Sequence, residues 1–206
     1  GKWTHIDRRS SEEAGLKVLS TWENGFRQIT NNTRPINTPA DLKGLKIRTP
    51  SSEWRVSMFK EWGANPTPMA FSEVFVALQT GTMDGQENPL TNITGANFQE
   101  VQKYLSLTGH VYSPTYLTTG LGTWDGLPDD VKAAVSTVSA SVQDWSFAQG
   151  ETADNELVEK VKAAGVEVNQ ADKQAFIEAS APVYAAFASQ VKGGDALVSR
   201  AQALAN

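Results

Sequence analysis

Arg48, Phe71 and Asn88 each stand where a short extended stretch of the sequence stops. An arginine offers a permanent cation with a planar fork of donors, and an asparagine offers an amide that both donates and accepts. Phenylalanine adds an apolar wall. Such a set suits a carboxylate on a small polar organic molecule. Arginine fits better than lysine, because its fork can grip both carboxylate oxygens at once. Position alone leaves ordinary alternatives open. Arg48 reads equally as a solvated or salt-bridged surface residue, Phe71 as core, and Asn88, which precedes Pro89, as a helix cap.

What would bring these residues together is the order of elements. "LKIR" (45–48) alternates as a strand, with Leu45 and Ile47 on one face and Lys46 and Arg48 on the other. "SSEWRVSMFKEW" (51–62) follows as a helix that Ser51 or Ser52 can cap and Gly63 can end. "NPTPMA" (65–70) is extended. "SEVFVALQT" (72–80) is a second helix, with Ser72 as its cap and Gly81 as its stop, and "MDGQEN" (83–88) is extended again. A helix begins at "PLTNITGA", with Pro89 at its first position. The order β-α-β-α-β with short connections predicts parallel strands in an α/β sheet covered by helices. Ligands of open parallel sheets lie outside the carboxyl ends of the strands, so Arg48, Phe71 and Asn88 should converge on one edge.

The flanking sequence divides in character. Residues 1–13 are polar and irregular. "GLKVLSTW" (15–22) and "FRQIT" (26–30) read as strands around a turn at Asn24-Gly25, and "KYLSLTGHVY" (103–112) and "TYLTTGLG" (115–122) as two more. Residues 127–165 are alanine-rich and helix-forming, with Asp129 and Asp130 suited to the helix N-terminus. This run is either one long strut or two helices with a kink near Gly150. A short strand (166–169) and a helical stretch (173–206), broken near Pro182 and at Gly193-Gly194, complete the chain.

Composition narrows the function classes. The chain has 206 residues, 40% hydrophobic and 20% charged, with a net charge of −5. That balance disfavours a general nucleic-acid or anionic-membrane binder, so any anion site must be local. There is no cysteine, hence no disulfide, thiolate metal site or cysteine nucleophile. No apolar run approaches the roughly 20 residues that cross a bilayer. The two histidines, His5 and His110, lie far apart in sequence and give little support to a metal or triad site. "GLGTWDG" lacks the spacing of a dinucleotide loop. Neither an enzyme nor a cofactor or metal is expected. Trp22, Trp54 and Trp62 read as packed in the fold rather than stacked on a sugar.

The run "GLKIRTP…GANPTPMAFSEVFVALQTGTMDGQENPL" resembles the solute-binding proteins of TRAP transporters, the DctP type. The resemblance runs from about "GLKVLSTWENGFRQ" to "VQKYLSLTGH", and "PTPMAFSEV" and "DGQENP" are its most specific parts. It implies a periplasmic-binding-protein-like, two-lobed α/β fold with parallel-type βαβ units and long C-terminal helices. It also implies that the chain lacks most of the N-terminal lobe. The second, ligand-clamping lobe would comprise residues 26–112 and 154–181. Residues 1–25 and 113–153 would supply the partial first lobe and crossover, and 182–206 a C-terminal helix. By the same resemblance Arg48 in "KIRTP" clamps the ligand carboxylate, Phe71 in "MAFSE" lines the ligand, and Asn88 in "QENP" is a polar contact. Arg27 in "GFRQ" is a second arginine of the site, Ser51 falls where relatives place a polar contact, and Glu87 with Gln86 orients the site. The implied function is capture of an organic acid (sugar acid, uronate or C4-dicarboxylate) in the periplasm by a monomer, and its delivery to TRAP membrane subunits. Neither nucleic-acid binding nor membrane insertion is implied. A ligand-sensing module for the same acids, and an enzyme acting on a sugar acid, are the rival readings.

Overall fold

A computed structural model describes residues 11–205; His5 and most of the polar N-terminal stretch lie outside the described residues. Residues 11–13 are helical rather than irregular. The chain separates into two compact units. One is built from residues up to Gly25 and Tyr112–Glu156, the other from Phe26–Val111 and Leu157 onward.

The larger unit carries a mixed six-stranded sheet. Its strands are β2 (Arg27–Asn31), β3 (Lys46–Thr49), β4 (Asn65–Pro68), β5 (Gly85–Pro89), β6 (Tyr104–Leu107) and β8 (Glu167–Gln170), in the order β4-β3-β5-β2-β6-β8. β3 is parallel to both β4 and β5, as the β-α-β-α-β pattern requires. β2 runs antiparallel to β5 and β6. Gly85 makes that pairing possible: a Cβ there would stand 2.2 Å from the Thr30 carbonyl oxygen.

The helices of this unit follow their local signals with two departures. In α1 (Glu53–Glu61) the cap is Ser52, whose Oγ accepts from the Arg55 backbone N–H at 3.4 Å. Ser72 does not cap the next helix. It sits inside a 3-10 turn (Phe71–Glu73), and α2 (Val74–Gln79) begins after that turn. Pro89 closes β5 and caps α3 (Leu90–Gly95) instead of opening it. The C-terminal stretch forms α6 (Lys173–Ala179), α7 (Ala181–Gln190) and α8 (Gly194–Ala205), broken where Pro182 and Gly193-Gly194 stand.

Two apolar clusters hold the unit together. One joins Ile29, Ile47, Phe59 and Trp62 to Phe176 and Val183. The other joins Val74, Leu78, Ile93, Phe98 and Leu105 to Val161. Trp62 is buried edge-on against Phe176, with ring centres 4.8 Å apart, and its indole N–H donates to Ser180 at 3.2 Å. Trp54 packs against Phe187 at 5.1 Å. Both tryptophans are packed in the fold rather than presented for stacking, as expected from the sequence.

In the smaller unit β1 (Leu16–Trp22) pairs antiparallel with β7 (Thr115–Gly120), with a bulge between Val18 and Ser20. The strands flanking the Asn24-Gly25 turn are therefore not partners of each other; they belong to separate sheets. A short helix, α4 (Leu121–Asp125), follows β7. The alanine-rich stretch is one helix, α5 (Asp129–Ala163), with acidic residues in its first turn and lysines in its last. Its residues from Leu157 on belong to the larger unit. Gln143 and Ser146 of α5 accept from the backbone N–H groups of Thr21 (2.9 Å) and Glu23 (3.1 Å), which gives partners to two backbone donors at the end of β1. The helix runs unbroken through Gly150. A Cβ there would meet Glu23 Cγ at 2.8 Å, so the missing side chain lets Glu23 lie on the helix.

Candidate functional site

The carboxyl ends of β3, β4 and β5 lie on one edge, and Arg48 stands next to the end of the central strand. Its guanidinium is buried. Nε and Nη2 both donate to the Met69 carbonyl, at 2.9 and 2.6 Å, just beyond the end of β4. The Arg48 Cζ lies 5.9 Å from the centre of the half-exposed Phe71 ring, within cation–π range. Among the described residues Arg48 forms no ion pair. Burial draws its pKa below the usual arginine value, the Glu87 charge opposes that shift, and Arg27 adds to it. Arg48 remains charged in any case.

Glu87 is the centre of a second group. Its side chain is fully buried in β5. Arg27 grips it with both fork nitrogens, Nε to Oε2 at 2.5 Å and Nη2 to Oε1 at 2.9 Å. Arg55 Nη1 donates to Oε2 at 2.6 Å, and His110 Nε2 lies 3.0 Å from the same oxygen. Burial alone would push the Glu87 carboxyl up. The hydrogen bonds from His110 and Arg27, with the positive charge around them, outweigh burial and hold it at about 2. The carboxylate is thus ionised and can only accept, so the proton sits on His110 Nε2. Burial against Phe59 and Trp62 lowers the His110 pKa, the hydrogen bond and charge of Glu87 oppose that shift, and Nδ1 lies 2.7 Å from Thr108 Oγ1.

Asn88 joins this group through Oδ1, which accepts from Arg27 Nη2 at 3.0 Å. Its Nδ2 donates to Gln86 Oε1 at 2.6 Å, and Gln86 Nε2 donates to Thr30 Oγ1 at 2.9 Å. Of the residues singled out in sequence, the structure therefore brings Arg48 to Phe71, and Arg27 to Glu87 and Asn88. Arg48 lies in register with Gln86, so its side chain leaves the sheet on the face opposite Glu87, and it feels the Glu87 and Arg27 charges without contacting either group. Ser51 is exposed at a bend between β3 and α1 and stands outside both.

Sequence reasoning did not single out Arg55, and it weighed His110 only as a metal or triad residue. A signal for Arg55 was present. It lies in the first turn of α1, where the helix dipole disfavours a cation, so its place called for an anionic partner elsewhere. His110 carried no such local sign, because it meets Glu87 only through the fold. Among the described residues no group of three or more His, Asp or Glu side chains could hold a metal ion.

Parallel strands that end together on one edge define an α/β fold of the class that holds small ligands at its strand ends. The profile of the bacterial extracellular solute-binding protein family 7 (DctP) matches residues 4–190, and the chain belongs to that family. It is 44% identical over 175 residues to the 2,3-diketo-L-gulonate-binding periplasmic protein YiaO of Escherichia coli, covering 84% of this chain and 53% of the relative. It is 40% identical over 188 residues to the sialic acid-binding periplasmic protein SiaP of Vibrio cholerae, covering 91% and 58%. The crystal structure of a TRAP periplasmic solute-binding protein from Chromohalobacter salexigens, with bound D-glucuronate, superposes with a TM-score of 0.88. That protein is 32% identical, and the match covers 95% of this chain and 66% of that one. The fold is that of a TRAP periplasmic binding protein, and the chain spans little more than half the length of these curated relatives. Among the described residues no helix is long and apolar enough to cross a membrane.

Proposed function

We propose that this protein is a periplasmic solute-binding protein that captures an organic acid and delivers it to a TRAP membrane permease, without transforming it. The observation that carries the reading is Arg48: a buried guanidinium with no acidic partner among the described residues, aimed by the Met69 carbonyl and walled by Phe71. A ligand carboxylate completes its charge. Arg27, Glu87 and Asn88 form the framework beside it, and residues 26–112 and 154–181 make up the ligand-clamping lobe. The names of the relatives, binders of diketogulonate, sialic acid and glucuronate, support a sugar acid as the ligand class.

A thermal-shift screen against uronates, aldonates, sialic acid and C4-dicarboxylates tests this directly, since a ligand that binds only the folded state raises its stability. At least one acid should raise the melting temperature, and no product should form. Removing one partner of a buried charge pair costs about 2–5 kcal/mol, so Arg48→Ala should weaken binding of that acid by about 30- to 3,000-fold in calorimetry. Unchanged affinity in that variant would remove Arg48 from the site.

A further inference from the structure

Asn88 ends a line of buried polar side chains that crosses the six-stranded sheet. Arg48 and Gln86 are in register between β3 and β5, and Gln86 and Thr30 between β5 and β2. Residues in register share a face, as do residues two apart on one strand, so Thr30, Gln86 and Asn88 leave the sheet on the face of Arg48. Gln102 joins them from the stretch just before β6. None of Thr30, Gln86, Asn88 and Gln102 is more than 5% exposed.

Their hydrogen bonds form one continuous line. Gln102 Oε1 accepts from Thr30 Oγ1 at 2.9 Å, Thr30 Oγ1 accepts from Gln86 Nε2 at 2.9 Å, and Gln86 Oε1 accepts from Asn88 Nδ2 at 2.6 Å. Both ends fix its direction. Gln102 Nε2 donates to the Val101 carbonyl at 3.1 Å, and a carbonyl only accepts, so Gln102 turns its oxygen to Thr30. Arg27 Nη2 meets Asn88 at 3.0 Å, and a guanidinium only donates, so the Asn88 atom beside it is Oδ1. Turning round any group in between sets donor against donor or acceptor against acceptor in a buried setting.

That direction leaves Asn88 with one kind of group to offer. Its Oδ1 accepts from Arg27 and from Asn92 Nδ2 at 3.3 Å, which fills both lone pairs. Its Nδ2 has one acceptor among the described residues, Gln86 Oε1, so the second proton is left over. Gln86 lies two residues back along β5, and the planar amide sends that second proton away from it. A buried N–H without an acceptor is costly, and a ligand oxygen would supply one.

We propose that Thr30, Gln86 and Gln102 are positioning residues for the ligand: by a hydrogen-bond line of fixed direction they hold Asn88 as a contact that only donates. The inference rests on Asn88 being a contact of the organic acid in the proposed binding site. Thr30 acts through Gln86, and Gln86 acts through Asn88.

Thr30→Val keeps the shape of the side chain and removes the hydroxyl, whereas Thr30→Ser keeps the hydroxyl. The probe is D-glucuronate, the acid bound by the Chromohalobacter salexigens relative. In calorimetry Thr30→Val should weaken its binding about tenfold, and Thr30→Ser by less than about twofold. Added to Asn88→Ala, Thr30→Val should cause no further loss, because the line then has nothing to position. Side-chain amide NMR reads the same coupling without a ligand. The Asn88 amide protons should exchange with water at least about tenfold faster in Thr30→Val than in the unaltered protein or Thr30→Ser. Unchanged exchange in Thr30→Val overturns the proposal whether or not D-glucuronate binds. So does an affinity loss as large beside Asn88→Ala as alone, since a general loosening of the fold acts in both backgrounds. If Asn88→Ala weakens binding and Thr30→Val does not, Asn88 stays in the site and the positioning role alone falls. If Asn88→Ala binds as tightly as the unaltered protein, the reading of Asn88 falls and the positioning role with it.

Discussion

Arg27 and Arg48 are both buried in the same sheet, yet they end in opposite surroundings. Arg27 meets an ionised carboxylate with both arms of its fork, and its charge is compensated inside the protein. Arg48 meets a backbone carbonyl and the face of a ring. Those partners orient the guanidinium and leave its charge whole. The difference teaches that burial and residue type do not by themselves decide whether a cation's charge is used up inside the protein. The partner does: a carboxylate consumes the charge, whereas a carbonyl only aims it.

The comparison breaks most visibly at Glu87. Replacing it with glutamine leaves Arg27 and Arg55 buried around a neutral amide. Removing one partner of a buried ion pair typically costs about 3–5 kcal/mol, and the loss should be read in urea unfolding of Glu87→Gln. Arg48→Ala should cost the fold much less, because no charged protein partner is left behind, while its effect on binding is large. If the two variants lose equal stability, the division between framework and ligand cation fails.

Acid should probe the same division. The Glu87 carboxyl sits at about 2 in the fold against an ordinary 4.5, so its contribution is complete above 4.5 and is lost as pH falls toward 2. His110 is held below its ordinary 6.5, so below that value the unfolded chain takes up a proton more readily than the folded one. Both terms have the same sign. Stability should fall steadily from about pH 6.5 downward. In Glu87→Gln the part of that fall below 4.5 should flatten, which pH-dependent denaturation curves would resolve.

Much of this arrangement was legible in the sequence because it depends on local order. Strand alternation in "LKIR", the Ser52 cap, and glycines at the helix ends set out the β-α-β-α-β unit, and parallel pairing then carries Arg48 and Phe71 to one edge. What was not legible depends on contacts across the chain. Arg55 and His110 reach Glu87 from elements that periodicity does not bring together. The separation of β1 from β2 into two sheets is likewise invisible locally, since a glycine turn after a strand looks the same whether or not its flanks pair. Ser51, which resemblance placed at the site, is exposed at the bend between β3 and α1.

The smallest expected effect sharpens the comparison most finely. Phe71 is 45% exposed and lies under Arg48, whereas Phe98 beside it, 5.6 Å between ring centres, is 1% exposed and belongs to the core. Phe71→Leu keeps an apolar wall and removes the ring face. A cation–π contact contributes about 0.5 kcal/mol where exposed and about 2 when desolvated, so affinity for the acid should fall by about 2- to 30-fold with little change in melting temperature. Phe98→Leu should do the reverse, lowering stability through imperfect repacking while the cation and its ring stay in place. Two neighbouring phenylalanines would then divide as the two arginines do, one facing the ligand and one facing the core. Should Phe71→Leu instead cost stability and spare affinity, the ring belongs to the framework and Arg48 is aimed by the Met69 carbonyl alone.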